Sequence, residues 1–344
     1  MEPIKEPKPL VLVSSSPHMH CGLTISKSMR EVILALVPAV LASVYYFRVD
    51  AVRVIVCCVL SALIFEKLAN KVMGVKKDTI KDGSAALTGL MLALCLPASL
   101  PSYMAVLGGM FAVVIGKAIF GGLGKNIFNP AHIGRAILLA SFPQQMTTWV
   151  IPATKAAAVT AATAGANATT AATPLAVMRM PENAWQAGGA AASLLPPLSD
   201  LFIGNIGGSL GETCVPALVL GGLYLIWKKL IDWRIPVFYL ATVAVITGIY
   251  GAVMGYPSTF PLYHLFAGGL MIGAFFMATD WVTSPITKKG KIIYAIGLGL
   301  LTSLIRLRGS YTEGVCYSIL MMNMVTPMID RFVRNVSFGG GQKK

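Results

Sequence analysis

Apolar runs bounded by charged, glycine- or proline-rich residues recur along the chain, near positions 32–47, 51–72, 84–100, 103–120, 131–150, 215–229, 235–254, 262–280, 291–305 and 312–330. A helix needs roughly 20 mainly apolar residues to cross a bilayer. The pattern therefore predicts an all-α, polytopic membrane protein with about ten transmembrane helices. Several runs are short or interrupted, so their ends are approximate. Residues 1–31 are polar and carry Pro3, Pro7, Pro9 and Pro17. No apolar stretch follows a short basic start, so a cleaved signal peptide is not expected.

The connection over 151–214 is the one long interruption, and it divides the runs five and five. An odd number of crossings in each half forces the halves into opposite orientations if they share a fold. The expectation is two inverted five-helix repeats, 32–150 and 215–334, between an N-terminal segment 1–31 and a tail 335–344. A faint echo supports this: Gly89-Leu90-Met91 in the third run and Gly269-Leu270-Met271 in the eighth. Two stretches read as broken helix or as plain loop with caps. They are Gly116–Pro130, with Gly121, Gly122 and Gly124 before Asn126 and Asn129, and Arg308–Gly314, which contains Glu313.

Charge sharpens the topology. Hydrophobic residues are 56% of the chain and charged ones 12%, with a net charge of +14. If the N-terminus is cytoplasmic and every run crosses, the outer segments hold only Arg48, Arg53, Lys155, Arg179, Arg306 and Arg308 of the 28 basic residues. Every inner segment is basic, as the positive-inside rule requires, and both termini are then cytoplasmic. The excess charge faces anionic lipid. No clustered basic face or recognisable module points to nucleic acid.

Candidate chemistry is sparse. Asp280, at the inner end of the eighth run, and Asp82, before the third, are carboxylates placed to bind a coupling cation, line a cofactor or cap a helix. Glu66, Lys117 and Arg135 are expected near the inner surface with side chains reaching water. His18, His20 and Cys21 make a weak metal case, and the six cysteines have no repeated metal-ligand spacing. Neither a metal nor an iron–sulfur cluster is expected. There is no P-loop, and the glycines at 121–124 lack a strand-to-helix context for a nucleotide. Residues 153–173, rich in alanine and threonine, read by composition alone as a linker.

Several motifs coincide in order: Ser15-Ser16-Pro17-His18, Asp82-Gly83-Ser84-Ala85, the run Gly121 to Ala131 ending Asn126-Ile127-Phe128-Asn129-Pro130-Ala131, then Ala172-Thr173-Pro174-Leu175 and Phe276-Met277-Ala278-Thr279-Asp280. Together they make the chain resemble the D subunits of Rnf complexes, ion-translocating ferredoxin:NAD oxidoreductases of bacterial cytoplasmic membranes. More distantly it is similar to the B subunits of sodium-pumping NADH:quinone reductases. The resemblance implies an external flavin transferase that joins FMN through its phosphate to a threonine hydroxyl. Laid on this chain, the acceptor is Thr173, the small residue before it is Ala172 and the hydroxyl position is Thr170. Asn167 stands where the motif has aspartate, and Ala168 where it has glycine. The resemblance also implies a second, non-covalent flavin (riboflavin) between helices, other membrane and peripheral subunits as partners, and Na+ or H+ as the ion moved. Asp82, Asn126, Asn129, Asp280 and Glu313 are the candidates for lining an ion or flavin site. A urea-channel-like permease without flavin is the alternative that predicts the same helices.

Overall fold

The computed structural model describes residues 24–74, 79–152, 173–179, 195–212, 214–309 and 313–333. Among them the fold is all-helical, and the one β feature is an isolated bridge between Pro97 and Ser209. Asn167, Thr170 and Ala172, with His18, Cys21 and the chain's two ends, lie outside the described residues.

The first two apolar runs form α1 (Ile25–Val72), broken at Arg48 where φ is 49° and ψ −125°. Its halves run antiparallel. Ser26, at the start, donates to Lys81 O at 3.1 Å, while Asn70, near the end, donates to Thr79 Oγ1 at 2.7 Å, so both ends meet one short segment. Then come α2 (Ser84–Leu94), α3 (Ser102–Val113, continued by a π-helical turn Val114–Ala118) and α4 (Pro130–Ser141). Asn129 starts α4 by accepting from Ala131 N at 3.1 Å, with Pro130 in the first turn where no amide hydrogen is needed.

Within the long connection lie two short helices, α5 (Pro174–Val177) and α6 (Leu198–Ile203), and beyond it α7 (Val215–Trp227) and α8 (Arg234–Val253). The eighth run is not continuous. It is α9 (Phe260–Phe266) and α10 (Leu270–Ile272, continued by a π-helical turn Gly273–Met277), bent by 64°. The chain ends in α11 (Lys288–Arg308), capped by the Thr287 hydroxyl on Gly290 N at 2.9 Å, and α12 (Val315–Phe332).

Two described helices, Arg234–Val253 and Lys288–Arg308, are long and apolar enough to cross a membrane, with a third if the bent pair is one span. Three shorter apolar helices accompany them. Large apolar side chains stand exposed at helical spacing, Leu34, Val37, Leu41 and Tyr45 on one half of α1 and Val52, Val56, Leu60, Ile64 and Leu68 on the other. Such bands suit lipid rather than water, and the chain is an integral membrane protein. Inside, small residues let backbones close up: a Cβ on Gly89 would lie 2.7 Å from Cys58 O. Gly89 is thus a packing glycine, whereas Gly269 sits at the helix break.

Contacts sort the connections to two ends. At one, Trp281 Nε1 donates to Leu230 O at 2.6 Å, Lys291 pairs with Asp232 at 3.3 Å and Ile286 N donates to Asp330 at 3.1 Å, beside the segment Thr79–Lys81 already described. At the other, Tyr46 reaches Ile203 O at 3.3 Å, Arg53 reaches Ala98 O at 3.1 Å and Tyr263 reaches Pro196 O at 3.0 Å.

The charged residues expected to reach water do not. Lys117 and Glu66 side chains are each 4% exposed and paired at 2.8 Å, with Lys117 also donating to Ser84 Oγ at 2.7 Å and Glu66 accepting from Thr79 Oγ1 at 2.6 Å. Arg135 is buried against Glu313. Each has found an oxygen or nitrogen partner inside the protein, which removes the reason to extend toward solvent.

Candidate functional site

Three motifs far apart in sequence converge on one cavity of about 240 Å³ at the Thr79–Lys81 end. Ser84 comes from the first motif. Leu123, Gly124, Asn126, Asn129, Pro130 and Ala131 come from the second, and Phe276, Thr279 and Asp280 from the third. Asn129 ties two of them together: its Nδ2 donates to Met277 O at 3.3 Å, supplying a donor to the last carbonyl of the π-helical turn. Asp280 accepts from Thr283 Oγ1 at 3.2 Å. Asn126 Oδ1 is buried without a partner among the described residues, so the cavity wall carries an acceptor available to a ligand. The remaining wall is largely apolar, from residues such as Val32, Leu87, Met91 and Leu225. An apolar slot with a few amide and hydroxyl groups suits a planar heterocycle with its own N–H and carbonyl groups.

Of the five residues expected to line an ion or flavin site, Asn126, Asn129 and Asp280 are on the wall of this cavity. Asp82 lies in the short turn Ile80–Asp82 next to Ser84 and is not among the lining residues. Glu313 belongs to a different cluster, with Arg135. Lys117, expected only to reach water at the inner surface, lines the cavity as well, and so does Thr88, which the sequence reading did not single out.

At the opposite end, Thr173 caps α5. It has extended backbone, its Oγ1 accepts from Ala176 N at 3.3 Å, and it is 6% exposed. Leu175 and Met178 pack with Leu201, Ile206, Phe260 and Ala267 in a small apolar cluster. Arg179 binds the carboxyl end of α11, donating to Ile305 O at 2.9 Å, Arg306 O at 3.1 Å and Gly309 O. A cation is well placed there, because the last carbonyls of a helix lack partners and carry negative partial charge. Esterification of Thr173 would leave its oxygen able to accept from Ala176 N, so the helix cap itself is compatible with a phosphate-linked group at this hydroxyl.

The same segment touches the bent helix. Arg306, expected in an outer loop, is 1% exposed and donates to His264 O and, at 3.1 Å, to Ala267 O, satisfying carbonyls freed at the end of α9. Gly268, with φ +70°, lies between them: a Cβ there would meet Leu175 Cδ1 at 2.6 Å and Arg306 Nη2 at 2.9 Å. Gly268→Ala is therefore expected to lower the melting temperature. Left-handed backbone costs a residue bearing a Cβ about 1–2 kcal/mol before the clash is counted. Trypsin should then cut after Arg179 faster than in the wild type, and an unchanged rate would show that Leu175 is not held against this glycine.

The chain matches the model of the NQR2, RnfD, RnfE family over residues 12–339. It is 48% identical over 334 residues, 96% of this chain and 97% of the relative, to the D subunit of the proton-translocating ferredoxin:NAD(+) oxidoreductase complex of Clostridium ljungdahlii. It is 43% identical over 330 residues, 95% of each chain, to the D subunit of the Na(+)-translocating ferredoxin:NAD(+) oxidoreductase complex of Acetobacterium woodii. With the D subunit of the ion-translocating oxidoreductase complex of Stutzerimonas stutzeri it shares 38% identity over 330 residues, 92% of each.

Proposed function

The chain belongs to the NQR2, RnfD, RnfE family, and on that premise we propose that it is the D-type membrane subunit of a translocase-type ferredoxin:NAD oxidoreductase. The observation that carries this is end-to-end similarity, at 48% and 43% identity, to two subunits named for that reaction. The subunit acts within a complex. Its sequence carries no Gly-rich strand-to-helix nucleotide motif, and in this reading partner subunits bring ferredoxin and NAD chemistry to it.

In this reading Thr173 is the phosphoester site of an FMN placed there by a flavin transferase. When bound, FMN supplies one- and two-electron redox chemistry, and the protein supplies position and electrostatics. Leu175 and Arg179 fix Thr173 against α9 and α11. Asn126, Asn129 and Asp280 offer amide and carboxylate groups to a second, non-covalent flavin such as riboflavin. Ten crossings in two inverted halves, with both termini on the cytoplasmic side of a bacterial inner membrane, fit the separation of contacts to two ends and the basic residues at the Thr79–Lys81 end. The loop 151–214 then faces outward, where the transferase works.

Two experiments test the reading. Purified, denatured subunit should give a fluorescent band under ultraviolet light; a colourless band from cells that possess the transferase favours a solute permease. The intact complex should reduce NAD with reduced ferredoxin. Activity only with NADH and a quinone would move it to the quinone-reductase branch of the family.

A further inference from the structure

An unbroken chain of hydrogen bonds links the segment Thr79–Lys81 to the wall of the cavity. Asn70 Nδ2 donates to Thr79 Oγ1 at 2.7 Å, which turns the threonine's own proton toward Glu66 Oε1, 2.6 Å away. Both carboxylate oxygens of Glu66 accept from Lys117 Nζ at 2.8 Å, and the same ammonium donates to Ser84 Oγ at 2.7 Å. Lys117 and Ser84 line the cavity, and Glu66 stands behind them. Thr79, at the far end, is half-buried rather than sealed off. Ser84 Oγ already accepts from Lys117, and its hydroxyl proton has no acceptor among the described residues, so it is available to whatever occupies the cavity.

Stability alone does not call for this arrangement. A buried ion pair is on balance no more stabilising than apolar side chains of the same volume. Here the pair is placed with a hydroxyl on each side, one toward the end of the protein and one toward the cavity. Lys117 sits in the π-helical turn Val114–Ala118, a geometry that recurs at functional sites. Gly116 beside it keeps that turn against α4: a Cβ there would lie 2.8 Å from Pro130 Cα. The other ionisable residue on the cavity wall is Asp280. Its carboxylate is held by the turn that follows it, accepting from Thr283 Oγ1 at 3.2 Å, and among the described residues no hydrogen bond joins it to Thr79–Lys81. A heterocycle seated against Val32, Leu87, Met91 and Leu225 displaces water from that wall. The most direct route for a proton to such a ring is then through the side chains.

We propose that Thr79, Glu66, Lys117 and Ser84 form a proton relay from the Thr79–Lys81 end to a redox-active heterocycle in the cavity, delivering a proton as electrons reach that ring. The proposal rests on the reading of this cavity as the seat of a second flavin, and it deepens that reading by naming the proton donor, Ser84 Oγ. The protons balance. Ser84 gives its hydroxyl proton to a ring nitrogen and takes one from the Lys117 ammonium. Thr79 gives its proton to Glu66, Glu66 gives one to Lys117, and water restores Thr79. One proton leaves the solvent, one arrives at the ring, and every side chain ends as it began. The electrons come from ferredoxin through the partner subunits, and no side chain is oxidised or reduced. The pull on the incoming proton is electrostatic: once the ammonium has given one up, Glu66 has lost its counter-charge, and a bare buried carboxylate favours protonation.

The test uses the whole purified complex, mixed rapidly with reduced ferredoxin in weakly buffered solution without NAD. A pH-indicator dye follows proton uptake, absorbance follows the charge on the reduced ring, and flavin extracted from the denatured complex is measured in parallel. Ser84→Ala is expected to keep its extractable flavin while proton uptake slows roughly 100-fold, the low end of what a positioned proton donor supplies. The absorbance of the reduced ring should become that of its anion. Ser84→Thr, which keeps the hydroxyl, should restore both. Uptake at the wild-type rate in Ser84→Ala overturns the proposal and assigns the proton to water or to Asp280. The combined variant Glu66→Gln, Lys117→Met, which removes both charges together, should behave as Ser84→Ala does. If neither assembles, the wild-type complex decides. A relay moving several protons together gives a bowed dependence of uptake rate on the deuterium fraction of the solvent, and a straight line, with one proton in flight, overturns the proposal. Failure of the second-flavin reading looks different: the wild-type complex would release no non-covalent flavin on denaturation, whatever the hydroxyls do.

Discussion

A Thr173→Ala chain is expected to assemble normally and to run as a non-fluorescent band. The peptide containing position 173 should lose the mass of FMN less one water, and reduction of NAD by ferredoxin in the complex should fall to background. The structural cost is small. Thr173 loses one capping bond to Ala176 N, and replacing an N-cap threonine by alanine costs about 1 kcal/mol, while Leu175 and Arg179 still hold the segment. Loss of electron transfer with intact assembly therefore reports on the prosthetic group rather than on folding. Thr173→Ser, which keeps the hydroxyl, should restore the band at least in part. Fluorescence surviving in Thr173→Ala would show that the flavin is linked elsewhere in the chain.

The second large effect concerns stability. Glu66→Gln leaves the Lys117 ammonium buried beside Ser84 with its carboxylate gone, and Lys117→Met leaves the Glu66 carboxylate bare. Each is expected to destabilise by about 3–5 kcal/mol, the usual cost of removing one member of a buried pair. The combined variant, with neither charge, should recover most of that loss, because neutral replacements of similar volume avoid the desolvation penalty altogether. Melting temperature and yield of detergent-solubilised protein read both. Additive losses in the pair would mean that the two side chains do not interact.

The linear pattern gives the helices well and their interruptions poorly. The run 84–100 is helical only to Leu94, since Pro97 and Pro101 lie ahead of it. The run 262–280 splits at Ala267–Gly269. Glycine triplets that look alike in sequence serve different ends: Gly89 admits a neighbouring backbone, and Gly269 sits at a break. Only the arrangement of other helices separates the two uses. Charge fares similarly. Lys117 reads as an inner-surface cation because its partner lies 51 residues away, beyond any local pattern. The motifs do better. Ser84, Asn126, Asn129 and Asp280 belong to segments whose co-occurrence suggested the family, and they share one cavity. Asp82, from the same motif as Ser84, lies in the turn Ile80–Asp82 and is not among the lining residues.

The burial of Thr173 imposes an order on maturation. A hydroxyl that is 6% exposed, engaged in its helix cap and followed by an arginine clamped to three carbonyls is closed to a second enzyme's active site. If Thr173 is the acceptor, the transferase has to meet the newly made chain before residues 173–179 settle. Chains that finish folding in flavin-starved cells should then stay colourless when the vitamin is supplied later, while chains synthesised afterwards become yellow.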